Sequence, residues 1–371
     1  MVNGSKIVSN LQFLMMMIGF VTPFGHFVYI ALVFHDAGKD AWLSLVCSAL
    51  LGAGIVYLHF KSAARQPDLS LITYSVKVFG NWVGGMIGSI YIVFFLLSTS
   101  ITIHIFVQFV SLLFPLTPHA VFTFIFIFVI AYVLYSGVEV LARSIQLSLP
   151  FLMILGLVAS LLVAKDRDFS QILPILENGV FPAWQGCLIF VAMFAELVVF
   201  RMLIPHTNEP QKLPKQGLLV MGILLLMFMG PTTGPITLFG EDLAKSLLYP
   251  TFEEIRYIDV ADFIQRIDIF GLFLWIIGTY YRVSIFLFGA AKGLADLMKA
   301  NKDITYVLPV ILCTFAMEQS LKSYTPGEMY KFLIMGYVPI SLFVGIALPF
   351  FTDIVSLIRS SWKPKWNIAK R

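Results

Sequence analysis

Charge is what this sequence has least of. Of its 371 residues, 12% are Asp, Glu, Lys or Arg, against about a quarter in an ordinary soluble domain. That scarcity excludes a water-solvated fold. A hydrophobic fraction of 59% with 15% aromatics and a mean hydropathy of +0.88 make lipid the solvent, where backbone groups must pair internally. The expected fold class is an all-α integral membrane protein. Cysteine is nearly absent as well. Cys47, Cys187 and Cys313 stand singly in three apolar stretches, so neither a disulfide framework nor metal-ligand spacing is present and packing is their expected role. The net charge is only +4, with the basic residues dispersed over loops and the C-terminal run SSWKPKWNIAKR. This excludes a nucleic-acid patch and fits a membrane-proximal tail beside anionic headgroups. No nucleophile elbow, P-loop, HExxH or paired-cysteine site occurs, so no enzyme activity, cofactor or metal is expected. The first apolar run lacks a small-residue cleavage site and reads as a span rather than a signal peptide.

What is present is a series of apolar runs of bilayer length. Ten spans are expected, at about 11–34, 41–60, 82–113, 119–135, 142–164, 183–205, 217–240, 268–290, 304–320 and 331–352. With the N-terminus inside, 16 basic residues fall on the inner side and 8 on the outer, with Arg282 inside span eight. This bias supports ten spans and cytosolic termini. Ten spans divide as five plus five in opposite orientations. The chain then reads as one transmembrane domain, with repeat one at 11–164, repeat two at 183–352 and a cytosolic tail at 353–371. In inverted repeats of this kind the ligand site lies at the midplane, where paired helices are interrupted.

The segment at 181–212 is central to that plan. Glu196 sits midway along span six, and a carboxylate near the bilayer centre is costly enough to read as functional. The matching depth of span one carries Thr22-Pro23-Phe24-Gly25, where proline removes a donor and glycine loosens the backbone. A second break is inferred at Phe194-Ala195-Glu196. Span seven ends in Gly230-Pro231-Thr232-Thr233-Gly234-Pro235, which predicts a kink or an early helix end. Thr251 and Glu254 have capping-box spacing, and apolar residues recur at Ile255, Ile258, Val260, Phe263 and Ile264. This pattern predicts a short amphipathic helix over the outer face, as a lid or a plain connector. Glu253, Glu254, Asp259 and Asp262 read as solvated acids of that loop. Gly84 and Gly88 have the spacing of close helix packing.

Several stretches together resemble the B subunit of spore germinant receptors, an endospore germination permease of the amino acid–polyamine–organocation superfamily. They are Gln66-Pro67-Asp68-Leu69-Ser70-Leu71-Ile72-Thr73-Tyr74 and Phe79-Gly80-Asn81-Trp82-Val83-Gly84, then Glu196 with Pro205. Tyr249-Pro250-Thr251, Phe263-Ile264-Gln265-Arg266-Ile267-Asp268 and Trp275 complete the set. The resemblance implies a LeuT-like fold in the spore inner membrane. It also implies a complex with an A subunit and a lipoprotein C subunit, and a small germinant, often an amino acid, bound by the B subunit.

The expected ligand-binding residues lie on four spans. Thr22, Phe24 and Gly25 mark the break in span one. Phe94, Ser98 and Thr102 recur at i, i+4, i+8 on span three, with Gln108 beyond them. Glu196 is a proton-coupling carboxylate, a ligand-amine partner or a structural acceptor. Arg282 follows Thr279, Tyr280 and Tyr281. It cannot readily lose its proton, so it receives a carboxylate ligand, pairs with Glu196 or snorkels. One of the adjacent tyrosines, taken as Tyr281, is expected to face the site. His26 and His104 read as packing residues. The leading function is a germinant-sensing receptor subunit that passes a conformational signal to its partners. The alternative is an autonomous amino acid–proton symporter with Glu196 as its proton site.

Overall fold

The computed structural model describes residues 7–258, 268–300 and 302–361. Val260, Phe263, Ile264, Asp259, Asp262 and the distal basic tail lie outside the described residues. Among those described, nine apolar helical stretches are long enough to cross a bilayer. The first, Asn10–Ala63, is 54 residues long. That is about 80 Å of helix, against a hydrocarbon core of about 30 Å, so it must turn back. It does so at Gly38–Asp40, where Gly38 takes φ +54°, a conformation open to glycine. The two ends of the stretch are tied to the same short segment: Asn10 Nδ2 donates to the Glu209 carbonyl (3.0 Å) and Gln211 Nε2 to the Ala64 carbonyl (2.7 Å). The nine stretches are therefore ten passes.

The other spans follow the sequence expectation to within a few residues except at the ends of span eight, which runs on to Leu297, and span ten. Span three runs Asn81–Leu113 and span four His119–Ser136. Span seven does not end at its Gly–Pro run but continues as Leu213–Phe239 with Pro231 and Pro235 inside it. A short helix, Leu71–Phe79, precedes span three and is capped by the Ser70 side chain. Span ten continues past 352 to Ser361.

Both expected interruptions are present. Span one is a helix over Asn10–Phe24 that opens into a π turn at Gly25–Tyr29 before Ile30–Ala37. Pro23 removes one ladder donor, and the Ile30 amide reaches back five residues to the Gly25 carbonyl. Span six is α-helical over Val180–Ala195 and then tightens to a 3₁₀ turn at Glu196–Met202. Irregular backbone at membrane depth is tolerated only inside protein. Span six is accordingly enclosed, with 83% of its most apolar stretch buried, against 22% for span five at the periphery. Span ten adds two π turns, Leu333–Tyr337 and Phe343–Ala347. Gly345, in the second, lies so close to the break in span six that a Cβ would stand 2.5 Å from the Ala195 carbonyl oxygen.

Both described ends lie on one face. Val8 donates to the His206 carbonyl (3.0 Å), and Arg201 pairs with Asp353 in span ten (3.3 Å) beneath the Tyr74 ring. The loop at 164–179 and the short helices Glu241–Ser246 and Pro250–Arg256 cover the opposite face.

The close-packing spacing at Gly84 has a physical cause. A Cβ there would lie 2.4 Å from Val76 Cα, in the backbone of helix Leu71–Phe79, whereas one at Gly85 would meet nothing within 4 Å. Gly84→Val is expected to cost about 1–3 kcal/mol of stability and Gly85→Val close to none. Thermal unfolding of the purified protein in detergent checks the pair.

Candidate functional site

A charge pair lies at the centre of the bundle, where the two breaks face it. Where span six changes from α to 3₁₀, Glu196 turns inward and is fully buried. Arg282, on span eight (Asp268–Leu297), is equally buried and places Nη1 2.6 Å from Glu196 Oε2. The other carboxylate oxygen, Oε1, accepts from Tyr29 Oη (2.9 Å) and Tyr337 Oη (2.5 Å). Each tyrosine is the last residue of a π turn. Span three supplies the remaining polar contacts. Thr102 Oγ1 accepts from Arg282 Nε (3.1 Å), and Ser98 Oγ lies 2.9 Å from Tyr337 Oη. Aromatic faces enclose the guanidinium, with Phe24 at 4.2 Å and Phe20 and Phe286 at 5.0 Å. Such contacts are strongest when water is excluded. Arg282 Nη2 has no hydrogen-bond partner among the described residues.

The structure thus brings together Phe24, Phe94, Ser98, Thr102, Glu196 and Arg282 of the sequence-expected set. Phe94 stacks on Tyr337 with centroids 6.2 Å apart. Of the readings open for Arg282, pairing with Glu196 is the one observed. Thr279 lies beside this centre, lining a void of about 10 Å³ with Phe24 and Thr102, room for about one water. Three expected residues stand apart. Thr22 donates to the Ile18 carbonyl (2.7 Å). Gly25 is pressed against Phe228 and Met193. Tyr281 turns to span five, bonded to Ser148 and the Ser144 carbonyl. Tyr29, Tyr337, Phe20 and Phe286 also belong to this centre, and no sequence pattern singles them out. A buried tyrosine needs a hydroxyl partner, which is a weak pointer to the first two.

Thr22 and Tyr281 instead line a cavity of about 520 Å³ with Pro23, His26, Trp275 and Gly278, on the other side of span one. Helix Pro250–Arg256 closes its end. Thr251 is not a helix cap, as its spacing suggested; the N-cap is Tyr249, and Thr251 Oγ1 donates to the His26 carbonyl in the π turn (3.2 Å). Glu254 is likewise not solvated. It is buried, pairs with Arg167 and lies against Gly234, where a Cβ would meet it at 2.1 Å. Only a glycine admits the carboxylate there. Glu253 keeps the expected surface role, paired with Arg256 at 3.0 Å.

Ten passes, two of them broken at a buried charge pair, define an integral membrane protein of transporter architecture. Residues 7–324 match the spore permease family, described as spore germination protein, and the chain belongs to that family. It is 25% identical to spore germination protein XB of Bacillus anthracis over 347 residues, 92% of this chain and 95% of that one. It is 24% identical to spore germination protein KB of Bacillus subtilis (strain 168) over 334 residues, 89% and 88% of the two chains. Among solved structures it resembles Mhp1, a nucleobase-cation-symport-1 family transporter, in a closed conformation with bromovinylhydantoin bound. The TM-score is 0.72 at 12% identity, covering 91% of this chain and 77% of the other. The fold expectation is met, and family and fold are those of permease-like proteins.

Breaking a buried pair by removing one partner costs about 3–5 kcal/mol, while replacing both with well-packed neutral groups is often tolerated. Glu196→Gln and Arg282→Met should each destabilise by that order, and the double variant by clearly less than their sum. Chemical unfolding of the four proteins in micelles measures the coupling. The second expectation concerns pH. Burial pushes the Glu254 carboxyl from 4.5 up to about 7, against the pull of Arg167. A raised carboxyl contributes stability fully below its free value and loses it as pH rises towards 7. Amide exchange within 250–256, corrected for intrinsic rate, should accelerate between about pH 5 and about pH 7.5. Glu254→Gln should flatten that rise.

Proposed function

We propose that this chain is the germinant-sensing, transporter-like subunit of a spore germination receptor. It binds a small nutrient, an amino acid, at the bundle midplane in the spore inner membrane, with both termini cytosolic. It signals to partner A and C subunits. The two five-span repeats at 11–164 and 183–352 form the single domain that holds the ligand.

The observation that carries this reading is the Glu196–Arg282 pair at the break in span six. An amino acid bears the same two charges in one molecule. Its ammonium group replaces the guanidinium beside Glu196, and its carboxylate takes the donors of Arg282, including the unpartnered Nη2. Net charge in the buried centre is unchanged by the exchange, so binding avoids stranding a charge in lipid. The price of entry is the internal pair, which must open. That ties ligand binding to a change in how spans three, six, eight and ten meet. The shift is limited by the ligand's differential affinity for the two states. Relatives named as spore germination proteins support the sensing role.

The symporter alternative is favoured by one observation, the likeness in fold to a cation symporter. Labelled amino acids, tested one by one on the chain co-assembled with its A and C partners in nanodiscs, separate the readings. Saturable binding is expected for one of them, reduced at least about tenfold, or about 1.4 kcal/mol, when its amine is acylated, its carboxyl amidated or Arg282 changed to Gln. Equal binding of the blocked ligands would overturn zwitterion exchange. Gradient-driven accumulation by the chain alone in proteoliposomes, lost in Glu196→Gln, would establish the symporter instead.

A further inference from the structure

We propose that His104, His119 and Glu318 form a binding site for a divalent transition-metal ion of the zinc class, joining spans three, four and nine. The three residues are 15 and 199 positions apart in sequence, and the fold collects them. Their donor atoms all lie within 4.8 Å of one another. Glu318 Oε1 is 3.4 Å from His104 Nδ1 and 4.0 Å from His119 Nδ1. A tetrahedral zinc ion with bonds of about 2.0–2.1 Å holds its ligand atoms about 3.4 Å apart. The first distance already fits, and the second closes with a movement of under about 1 Å by the most exposed of the three residues.

Charge and hydrogen bonding argue the same way. Glu318 is fully buried on span nine (Val307–Leu321), and its ion-pair partners are the two imidazoles. A buried carboxylate without a cation is expensive, and a divalent ion offsets it. His119 Nδ1, facing that carboxylate, has no hydrogen-bond partner among the described residues. Gln319 Nε2 donates to Glu318 Oε2 (2.6 Å), the kind of outer contact that orients a ligating carboxylate. Two imidazoles and one carboxylate suit zinc with a fourth position left to water; calcium and magnesium favour all-oxygen sets. An entry path exists, because His119 is the first residue of span four and 26% of its side chain is exposed. The site lies on the far side of span three from Thr102, which contacts Arg282. The bound ion would anchor the helix that carries part of the central contact set.

The test uses the full chain in nanodiscs, stripped with a chelator and titrated with zinc chloride. One zinc per chain is expected to survive desalting, and zinc is expected to raise the thermal unfolding midpoint. Cobalt(II) in its place should give the visible absorption of a tetrahedral site. His119→Ala and Glu318→Gln should weaken zinc binding at least about tenfold, since even outer contacts of metal ligands are worth that much. His119→Ala, at a partly exposed position, should keep the metal-free unfolding midpoint of the parent, and it decides the matter should Glu318→Gln fail to fold. Retention of far less than one zinc by the parent, as the His104–Glu318 contact alone would give, overturns the proposal. So does equal zinc retention by His119→Ala.

Discussion

A guanidinium cannot be neutralised and cannot be left bare in hydrocarbon. Much of the centre of this molecule follows from where Arg282 is put. It needs an anion, and Glu196 is presented at the residue where span six leaves the α-helix. The anion in turn has lone pairs to fill, and two tyrosines fill them from the π turns of spans one and ten. Low dielectric strengthens such a network when it is complete and penalises it when it is not. The three phenyl rings around the guanidinium keep it dry. The irregular backbone and the charges are thus one arrangement: the breaks aim the side chains, and the side chains justify breaks that lipid would not tolerate.

The same enclosure holds at both faces. At the face of the termini, Arg201 and Asp353 join span six to span ten. At the other, Arg167 and Glu254 hold helix Pro250–Arg256 down, and Thr251 hooks it onto the π turn of span one. A cavity of about 520 Å³ lies behind span one, whereas the void lined by Phe24, Thr102 and Thr279 beside the charges holds only about 10 Å³. The midplane is therefore filled by its own residues, which makes the pair the natural competitor of any charged ligand.

The fold was largely legible because bilayer thickness imposes a length on each apolar run, and hydropathy reads that length directly. Pro23 and Gly25 marked the first break by their own chemistry, and Glu196 marked the second by its cost in lipid. The partners were harder. Tyr29 and Tyr337 are 308 positions apart, and a π turn has no local signature comparable to a proline. Arg201 lies within the expected span six, and only the 3₁₀ turn there shows that it is drawn inside to Asp353. Glu254 reads as solvated because it lies in a loop between spans; Gly234, on a different helix, is what makes room for it. His104 read as packing because its partners arrive from spans four and nine. Tyr281, the one of the two adjacent tyrosines expected to face the site, points to span five instead, because neighbours on a helix such as Tyr281 and Arg282 point about 100° apart.

The π turns carry a mechanical implication. Each houses one residue more than an α-helical turn would, a surplus held in place only by the packing around it. Rewinding Gly25–Tyr29 or Leu333–Tyr337 into regular helix would rotate all that lies beyond by about 100° and advance it by about 1.5 Å. The tyrosine at its end would swing off Glu196 while nearly every other backbone bond survived. The chain thus holds two ratchet teeth against the same carboxylate, and slipping either would disengage a hydroxyl without unfolding a helix.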